Sequence, residues 1–218
     1  MCVLLIQLVA PMQSWGTSGL AATRDCGLDP SKSGVVGLLA AALGRDRKDS
    51  IGDLAGLRMG VRVDREGVPG VDYSATRSLN AAGRWPVGVQ TWKHYLADAA
   101  FLCGLEGELD LLQQIDDALA DPQRVLFLGR ASYIPSAPLR LPGGLLPGVT
   151  LENALRTWPP IVELRSTAQG IRVVIEDPIN GDDRRMDQPI SFLPRRYAPR
   201  SISTLFLATD SLVAQEGN

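Results

Sequence analysis

The sequence predicts an α+β fold, on the basis of its composition and of the order of its apolar segments. Hydrophobic residues make up 45% of the 218 residues and charged residues 21%, as is typical of a globular protein with a sizeable core. The apolar patterns indicate a strand, a helix and a strand, then a long excursion, then again a strand, a helix and a strand. This order is the split βαβ pattern of a ferredoxin-like domain, which we place at residues 1–130.

The first three elements each follow from a local pattern. Val3–Val9 is continuously apolar, which indicates a buried central strand. Gly34–Leu43 is apolar nearly all round, which indicates a helix packed on several sides. Leu57–Val63 alternates between apolar and other residues, which predicts a half-buried strand with Arg58 and Arg62 on its outer face.

The next elements follow a stretch without a core pattern. Residues at about 64–94 are rich in glycine and proline, and a segment this long inside a domain is typical of a functional loop or an inserted hairpin. Tyr95–Cys103 then has the pattern of a strand, and the apolar spacing over residues 109–119 predicts an amphipathic helix. Val125–Leu128 is predicted to be the short closing strand of the domain.

Residues 131–218 are expected to form a smaller, β-rich C-terminal part. The chain from Gly129 to Pro160 is rich in proline and glycine, which favours an irregular connection. Four short strands are predicted after it, at Ile161–Leu164, Ile171–Ile175, Ile190–Leu193 and Ile202–Ala208.

Charge, histidine and cysteine content exclude several classes of function. The net charge of −2 excludes a uniformly basic protein, although it allows a local basic patch. The single histidine, His94, disfavours most zinc sites, and the three cysteines (Cys2, Cys26 and Cys103) form no CxxC pair. We therefore expect no metal and no cofactor. No targeting signal and no membrane-spanning run is evident, and a cytoplasmic location is expected.

The segment PSKSG at residues 30–34 allows two interpretations. Backbone amides at a helix N-terminus, the hydroxyl groups of Ser31 and Ser33 and the ammonium of Lys32 together suit a phosphate. Alternatively, one serine caps the helix and Lys32 stays solvated.

The run Lys93-His94-Tyr95 is the one segment that could support acid–base chemistry. A lysine and a histidine beside an RNA 2′-hydroxyl group would allow cleavage without a metal. The alternative is an ordinary strand, in which neighbouring side chains point to opposite faces and the three cannot converge.

Arginine dominates the basic residues and recurs beside aromatic residues. Such clusters suit contact with a nucleic-acid backbone together with stacking on unpaired bases. The clusters are Arg195, Arg196 and Arg200 interleaved with Tyr197, Arg130 near Tyr133, and Arg77, Arg84 and Trp85 in the excursion.

Five sequence blocks, spread over nearly the whole chain, resemble a known family. They are LVAPMQSWG, PSKSGVVGLLAAALG, TWKHYLADAAFL, LFLGRASYIPSAPL and LPRRYAPR. In this order and spacing they resemble the Cas-five (CasD) family, the subunit that caps the 5′ handle of the crRNA in type I-E CRISPR Cascade.

This resemblance implies a non-catalytic RNA-binding protein for antiviral defence. It implies an RRM-like ferredoxin domain, a β-hairpin thumb and a smaller β-rich C-terminal part. The implied partners are the crRNA 5′ handle, the adjacent backbone subunit and the large subunit of Cascade, with target DNA met through the complex. The expected RNA-binding residues are Arg24, Ser31, Lys32, Ser33, Gly34, Arg130, Tyr133, Arg195 and Arg196. The expected thumb residues are Arg77, Arg84 and Trp85.

Two alternatives remain open from the sequence. A type I-C relative is itself an endoribonuclease, so one alternative is a metal-independent ribonuclease with Lys93, His94 and Tyr95 as its catalytic residues. The other is a ferredoxin-like interaction module that binds no RNA.

Overall fold

A computed structural model of the chain describes residues 1–16, 23–77, 83, 88–164 and 170–208. These residues confirm the α+β class. The strands are β1 (Cys2–Val9), β2 (Met12–Gln13), β3 (Thr23–Arg24), β4 (Arg58–Arg65), β5 (Val68–Thr76), β6 (Val89–Ala97), β7 (Ala100–Gly107), β8 (Arg140–Pro147), β9 (Ile171–Glu176), β10 (Asp183–Phe192) and β11 (Arg195–Leu207). The helices are α1 (Lys32–Ala42), α2 (Gly52–Gly56), α3 (Leu109–Ala120) and α4 (Leu151–Thr157). No helix in these ranges is both long and apolar enough to cross a membrane.

The main sheet has seven strands in the order β10-β11-β9-β4-β7-β1-β8, and all its pairings are antiparallel. Strand β1 lies between β7 and β8 and is buried on both faces. Its Leu4 and Ile6 belong to the core cluster that includes α1 and α3, whereas Val3 and Leu5 pack with α4 on the opposite face. The continuous apolar run in β1 therefore reflects a strand covered by helices on both sides.

The predicted closing strand at Val125–Leu128 is wrong, because this segment forms no strand. The strand beside β1 is β8, which lies in the stretch that the sequence predicted to be irregular. Its proline and glycine residues are accommodated by a shift of register between Leu4 and Ile6, and Gly143 has a positive φ of 73°. Strands β8 to β11 all join the sheet of β1, so this sheet contains strands from both sides of residue 130.

The predicted strand Tyr95–Cys103 is in fact two strands in two sheets. The chain turns at Asp98, whose φ is 55°, between the end of β6 and the start of β7. Strand β6 forms a smaller sheet with β2, β3 and β5, and its antiparallel pairing with β5 runs from Val68 opposite Ala97 to Thr76 opposite Val89. An antiparallel hairpin thus occupies the long excursion.

Strand β4 is buried on both faces, whereas the sequence predicted one exposed face. Its Arg62 is fully buried and donates two hydrogen bonds to Asp64, at 2.6 and 2.9 Å. Arg62 also donates to three backbone carbonyl groups, one in the last turn of α4 (residue 155) and two just after the helix (residues 158 and 159). Helix α4, which the sequence did not reveal, covers this face and removes the arginine from solvent.

Two C-terminal predictions also differ from the structure. Ile161–Leu164 forms no strand. The strand predicted at Ile190–Leu193 is the end of the longer β10, which pairs with β11 through a tight connection at Leu193 and Pro194. The predictions at Ile171–Ile175 and Ile202–Ala208 are confirmed by β9 and the second half of β11.

Candidate nucleic-acid interface

The loop after β1 is fixed against the start of α1 by Trp15. The Trp15 Nε1–H group donates to the Gln13 side chain at 3.0 Å, and Gln13 donates in turn to the carbonyl groups of Leu8 and Ala99. The Trp15 ring lies against Gly34 so closely that a Cβ atom at Gly34 would be only 2.9 Å from it. The first two sequence blocks of the resemblance therefore pack directly on each other.

Lys32 is not free to hold a phosphate in this structure. Its Nζ atom lies 2.8 Å from a Glu176 carboxylate oxygen, and its backbone amide donates to Asp187 at 2.9 Å. Burial lowers the pKa of Lys32, and the hydrogen bond and charge of Glu176 offset part of that effect. The predicted phosphate cradle is thus occupied by carboxylates from β9 and β10.

The structure agrees only in part with the alternative in which a serine caps the helix. Ser31 stands at the N-cap with an extended backbone, but its side chain makes no capping hydrogen bond. Lys32 is buried, with 2% of its surface exposed, which excludes the solvated lysine of that alternative. The carboxylate of Asp187 takes the place of a local cap, although it lies far away in sequence.

A cleft of about 500 Å³ runs along the outer face of α1, and we call it the α1 groove. One wall is formed by α1 and the segments beside it, and the other by the β10–β11 hairpin. The groove brings together four residues that the sequence predicted to bind RNA, namely Ser31, Ser33, Gly34 and Arg195. Its lining also includes Ser14, Gly16, Gly129, Phe127, Phe192 and Tyr197.

The α1 groove is basic, with four arginines and one aspartate among its lining residues. Arg45 pairs with Asp53 at 2.5 Å, and Arg124 pairs with Asp46 at 2.6 Å. Within the described ranges, the other two lining arginines, Arg47 and Arg195, have no acidic partner. Those two are therefore available to an external anion.

Three of the four groove arginines were not predicted as site residues. Arg45 and Arg47 lie in the segment GRDRK after α1, where the intervening Asp46 makes the charge look compensated. Arg124 lies beyond α3 and reaches the carbonyl of Gly44 at 3.0 Å. The basic run directly after the helix was the signal that could have revealed the first two.

Arg195 and Arg196 differ in position although they are neighbours. Arg195 lies opposite Phe192 in the β10–β11 pairing, and both residues line the groove. Arg196 lies opposite Ser191, and because side chains alternate along a strand it belongs to the other face of the hairpin. Both arginines are exposed, but only Arg195 lines the groove.

Arg130 lies near the groove end formed by Ser14 and Gly129, in a cluster with Tyr133. Its guanidinium donates to the Tyr133 hydroxyl at 2.8 Å and to the His94 carbonyl at 2.9 Å, and lies 5.4 Å from the Tyr133 ring centre. Tyr133 is only 6% exposed and meets the Tyr95 ring edge-on, with 6.4 Å between centroids. The Tyr133 ring is thus largely buried and supports Arg130, and its contact with RNA stays a prediction.

The run Lys93-His94-Tyr95 does not converge into one acid–base centre. It lies in β6, where Lys93 and Tyr95 share one face of the strand and His94 belongs to the other. Arg24 in β3 lies opposite Lys93 and on the same face, and it is exposed. Arg24, Lys93 and Tyr95 therefore line one face of the smaller sheet, on the side where Tyr95 meets Tyr133.

The remaining predicted residues are the three from the long excursion. Arg77 is exposed just after β5. Arg84 and Trp85 lie outside the described residues. Among the described residues, no group of three His, Cys, Asp or Glu side chains is arranged to hold a metal ion.

A basic, partly aromatic groove on an antiparallel α+β scaffold has the chemistry of a nucleic-acid-binding protein. Comparison with known proteins gives the family. The family model described as "CRISPR-associated protein (Cas_Cas5)" matches residues 3–202, and the chain belongs to this family.

Individual relatives agree with this assignment. The chain is 30% identical to the CRISPR system Cascade subunit CasD of Escherichia coli (strain K12), over 90% of this chain and 92% of that protein. A solved structure described as "Crystal structure of Cas protein" is 43% identical, with a TM-score of 0.80 over 96% of this chain and 97% of the other. A chain of a "CRISPR RNA-guided surveillance complex" is 30% identical, with a TM-score of 0.76 over 93% of this chain and 89% of that chain.

Proposed function

We propose that this chain is a non-catalytic subunit of a type I-E CRISPR surveillance complex, in which it binds and caps the 5′ handle of the crRNA. The observation that carries the proposal is the α1 groove, with Arg47 and Arg195 uncompensated along its length. The similarity to CasD and to a chain of a surveillance complex supports it. In this role the protein acts in the cytoplasm, for antiviral defence.

The two sheets are proposed to have different roles. The part β4-β7-β1-β8, with α1 and α3, has the strand order of a ferredoxin-like, RRM-like unit and carries one wall of the groove. The β5–β6 hairpin would serve as the thumb toward the adjacent backbone subunit. The large subunit is the other proposed protein partner, and target DNA would be met through the complex.

The RNA is proposed to follow the α1 groove toward Arg130. Arg47 and Arg195 would contact phosphates, and Ser33 and Gly34 would let the backbone approach α1. Arg130, held by Tyr133, would add charge at the far end, and Arg24 and Lys93 would extend the basic surface across β3 and β6. Lys32 would act indirectly, because its ion pair with Glu176 fixes the start of α1.

Replacing Arg195 with alanine should weaken binding of the crRNA handle, whereas replacing Arg196 should change it little. Arg195 lines the groove and its neighbour does not. Each lost phosphate contact on a single strand should also reduce the salt slope of binding by about 0.7. The measurement is handle affinity at several salt concentrations, by fluorescence polarisation with the full chain.

The Arg47→Ala variant tests the opposite wall of the groove and should behave like Arg195→Ala. Arg184→Ala is a matched control, since Arg184 is exposed on β10 and does not line the groove. Equal losses for Arg195→Ala, Arg196→Ala and Arg184→Ala would show that binding depends on bulk charge. Unchanged affinity in both groove variants would contradict the proposed site.

The purified protein should leave repeat RNA intact in EDTA, and His94→Ala should not alter that result. Lys93 and Tyr95 lie on the face of β6 opposite to His94, and general acid–base catalysis needs its groups around one reacting atom. Gel analysis after a long incubation tests this, with RNA alone as the control. Cleavage by the wild type that disappears in His94→Ala would support the ribonuclease alternative instead.

A further inference from the structure

A second cavity, of about 370 Å³, lies at the base of the hairpin. It is formed by the end of β4, the start of β5, the turn between β6 and β7, the start of β9 and the end of β11. It shares no lining residue with the α1 groove. At about 3.3 Å per residue, the length of β11 from Arg195 in the groove to Phe206 in this cavity is roughly 35 Å.

Arg65 is the unusual residue of this cavity. Its Nε atom is buried, and no residue in the described ranges accepts a hydrogen bond from it. The other arginine in the lining, Arg172, bonds to both Glu66 and Asp29. A buried donor without an acceptor destabilises the free protein, and in the described ranges the half-buried Arg65 pairs with no carboxylate, so its charge is uncompensated.

The acidic residues of the lining do not compensate Arg65. Asp64 accepts two hydrogen bonds from Arg62, and Glu66 accepts two from Arg172. Asp98 is exposed at the turn after β6. Arg65 is therefore a half-buried cation with no carboxylate partner among the described residues, while the three carboxylates together make the lining unfavourable for a polyanion such as RNA.

The rest of the lining is apolar and partly open to solvent. Val63 and Ile171 are buried in its walls, whereas Val68 is 66% exposed and Phe206 is 54% exposed. An occupant that matches this surface combines apolar side chains with a single carboxylate. Charge complementarity thus favours a segment of protein over a nucleic acid.

We propose that this cavity is a docking site for a neighbouring protein subunit, which inserts a segment carrying one acidic side chain beside apolar side chains. The acidic side chain pairs with Arg65, and the apolar side chains pack on Val68 and Phe206. The inference rests on the proposed function in that it places the chain in a multisubunit complex. It adds a protein contact at the end of the sheet remote from the groove.

A photo-crosslinking amino acid at Val68 tests the proposal in the reconstituted complex. Irradiation should join the chain to a protein segment that contains an aspartate or glutamate next to aliphatic or aromatic residues, identified by mass spectrometry. Arg65→Met in the same chain should reduce the crosslink yield at least tenfold. A crosslink to RNA, no crosslink, or an undiminished yield with Arg65→Met would overturn the proposal.

The thermal stability of the isolated chain should not fall with the same substitution that reduces its retention in the complex. Arg65→Met should leave the Tm unchanged or raise it, because a half-buried arginine with an unsatisfied Nε–H group is removed, while retention of the chain in the complex falls at least tenfold. Arg184→Met is the matched control and should change neither. A lower Tm for Arg65→Met would mean that Arg65 is satisfied within the chain, and would overturn the proposal.

Handle affinity of the isolated chain separates this inference from the proposed function. Arg65→Met should bind the handle as the wild type does, because the cavity and groove share no lining residue. A wild-type chain that binds the handle but yields no protein crosslink overturns only the docking site. A wild-type chain that does not bind the handle overturns the proposed function.

Discussion

Asp187→Ala should lower the free energy of unfolding by about 3–5 kcal/mol, the cost of breaking a buried ion pair by removing one partner. Asp187 is 1% exposed and accepts two hydrogen bonds from Arg200, at 3.0 and 2.8 Å. It also accepts the amide of Lys32 at the start of α1. The variant leaves the buried guanidinium of Arg200 and a helix N-terminus without this carboxylate.

The same change should weaken handle binding, because Asp187 helps to hold the β10–β11 hairpin on α1. That hairpin carries Phe192, which packs over Gly37, and Arg195, which lines the groove. Urea denaturation measures the stability loss, and handle affinity measured below the unfolding midpoint gives the binding effect. Asp46→Ala removes an exposed ion pair and should alter stability little. A loss no greater than in Asp46→Ala would contradict the role given to Asp187.

Lowering the pH should reduce the stability of the wild-type protein through the same carboxylate. Burial by itself would raise the pKa of Asp187, but the hydrogen bonds and charge of Arg200 outweigh it and hold the pKa below its ordinary value. Because the folded-state pKa is the lower one, this contribution is fully present above about pH 4 and is lost as the pH falls through the folded-state value. Asp187→Asn should therefore show a flatter loss of stability in acid than the wild type.

Gly129→Ala should destabilise the protein by roughly 4 kcal/mol or more, because a steric clash is added to backbone strain. Gly129 has a φ of 95°, and a Cβ atom there would clash with the carbonyl oxygen of Ser14. The neighbouring Ser14 amide donates to the Leu128 carbonyl at 3.1 Å, which holds the two segments together. The substitution must push them apart.

The displacement should also reduce RNA binding, since Arg130 follows directly and both Ser14 and Gly129 line the groove. Gly143→Ala is a matched control: its φ is 73°, but its surroundings are open, and it should cost about 1–2 kcal/mol of strain alone. Thermal and urea unfolding of both variants give the comparison. Similar losses in the two variants would show that the contact with Ser14 is not tight in solution.

Local sequence patterns predicted the elements whose secondary structure does not depend on pairing with distant segments. The apolar runs of β1 and α1 and the periodicity of α3 each reflect burial that a single strand or helix shows in its own sequence. Strand β8 contains Pro142 and two glycines, and only pairing with β1 makes it a strand. Its sequence predicts a loop because β-propensity depends on such partners.

Part of the candidate site likewise depends on contacts between residues that are far apart in sequence. Ser33, Gly34 and Arg195 were each expected to bind RNA on the strength of the family resemblance, and the structure places them along one groove. The carboxylates that hold Lys32 come from Glu176 and Asp187, far away in sequence, and no local pattern reveals them. Alternation along β11 could have separated Arg195 from Arg196, had the strand been known to begin at Arg195.

The central place of β1 in the sheet has a consequence for synthesis. Strand β1 leaves the ribosome before its partners β7 and β8, which begin only at Ala100 and Arg140. At about 5–20 residues per second, its apolar residues wait on the order of 10 s for their first partner strand. During that time this segment is the part of the nascent chain most prone to aggregation and is a natural target for chaperones.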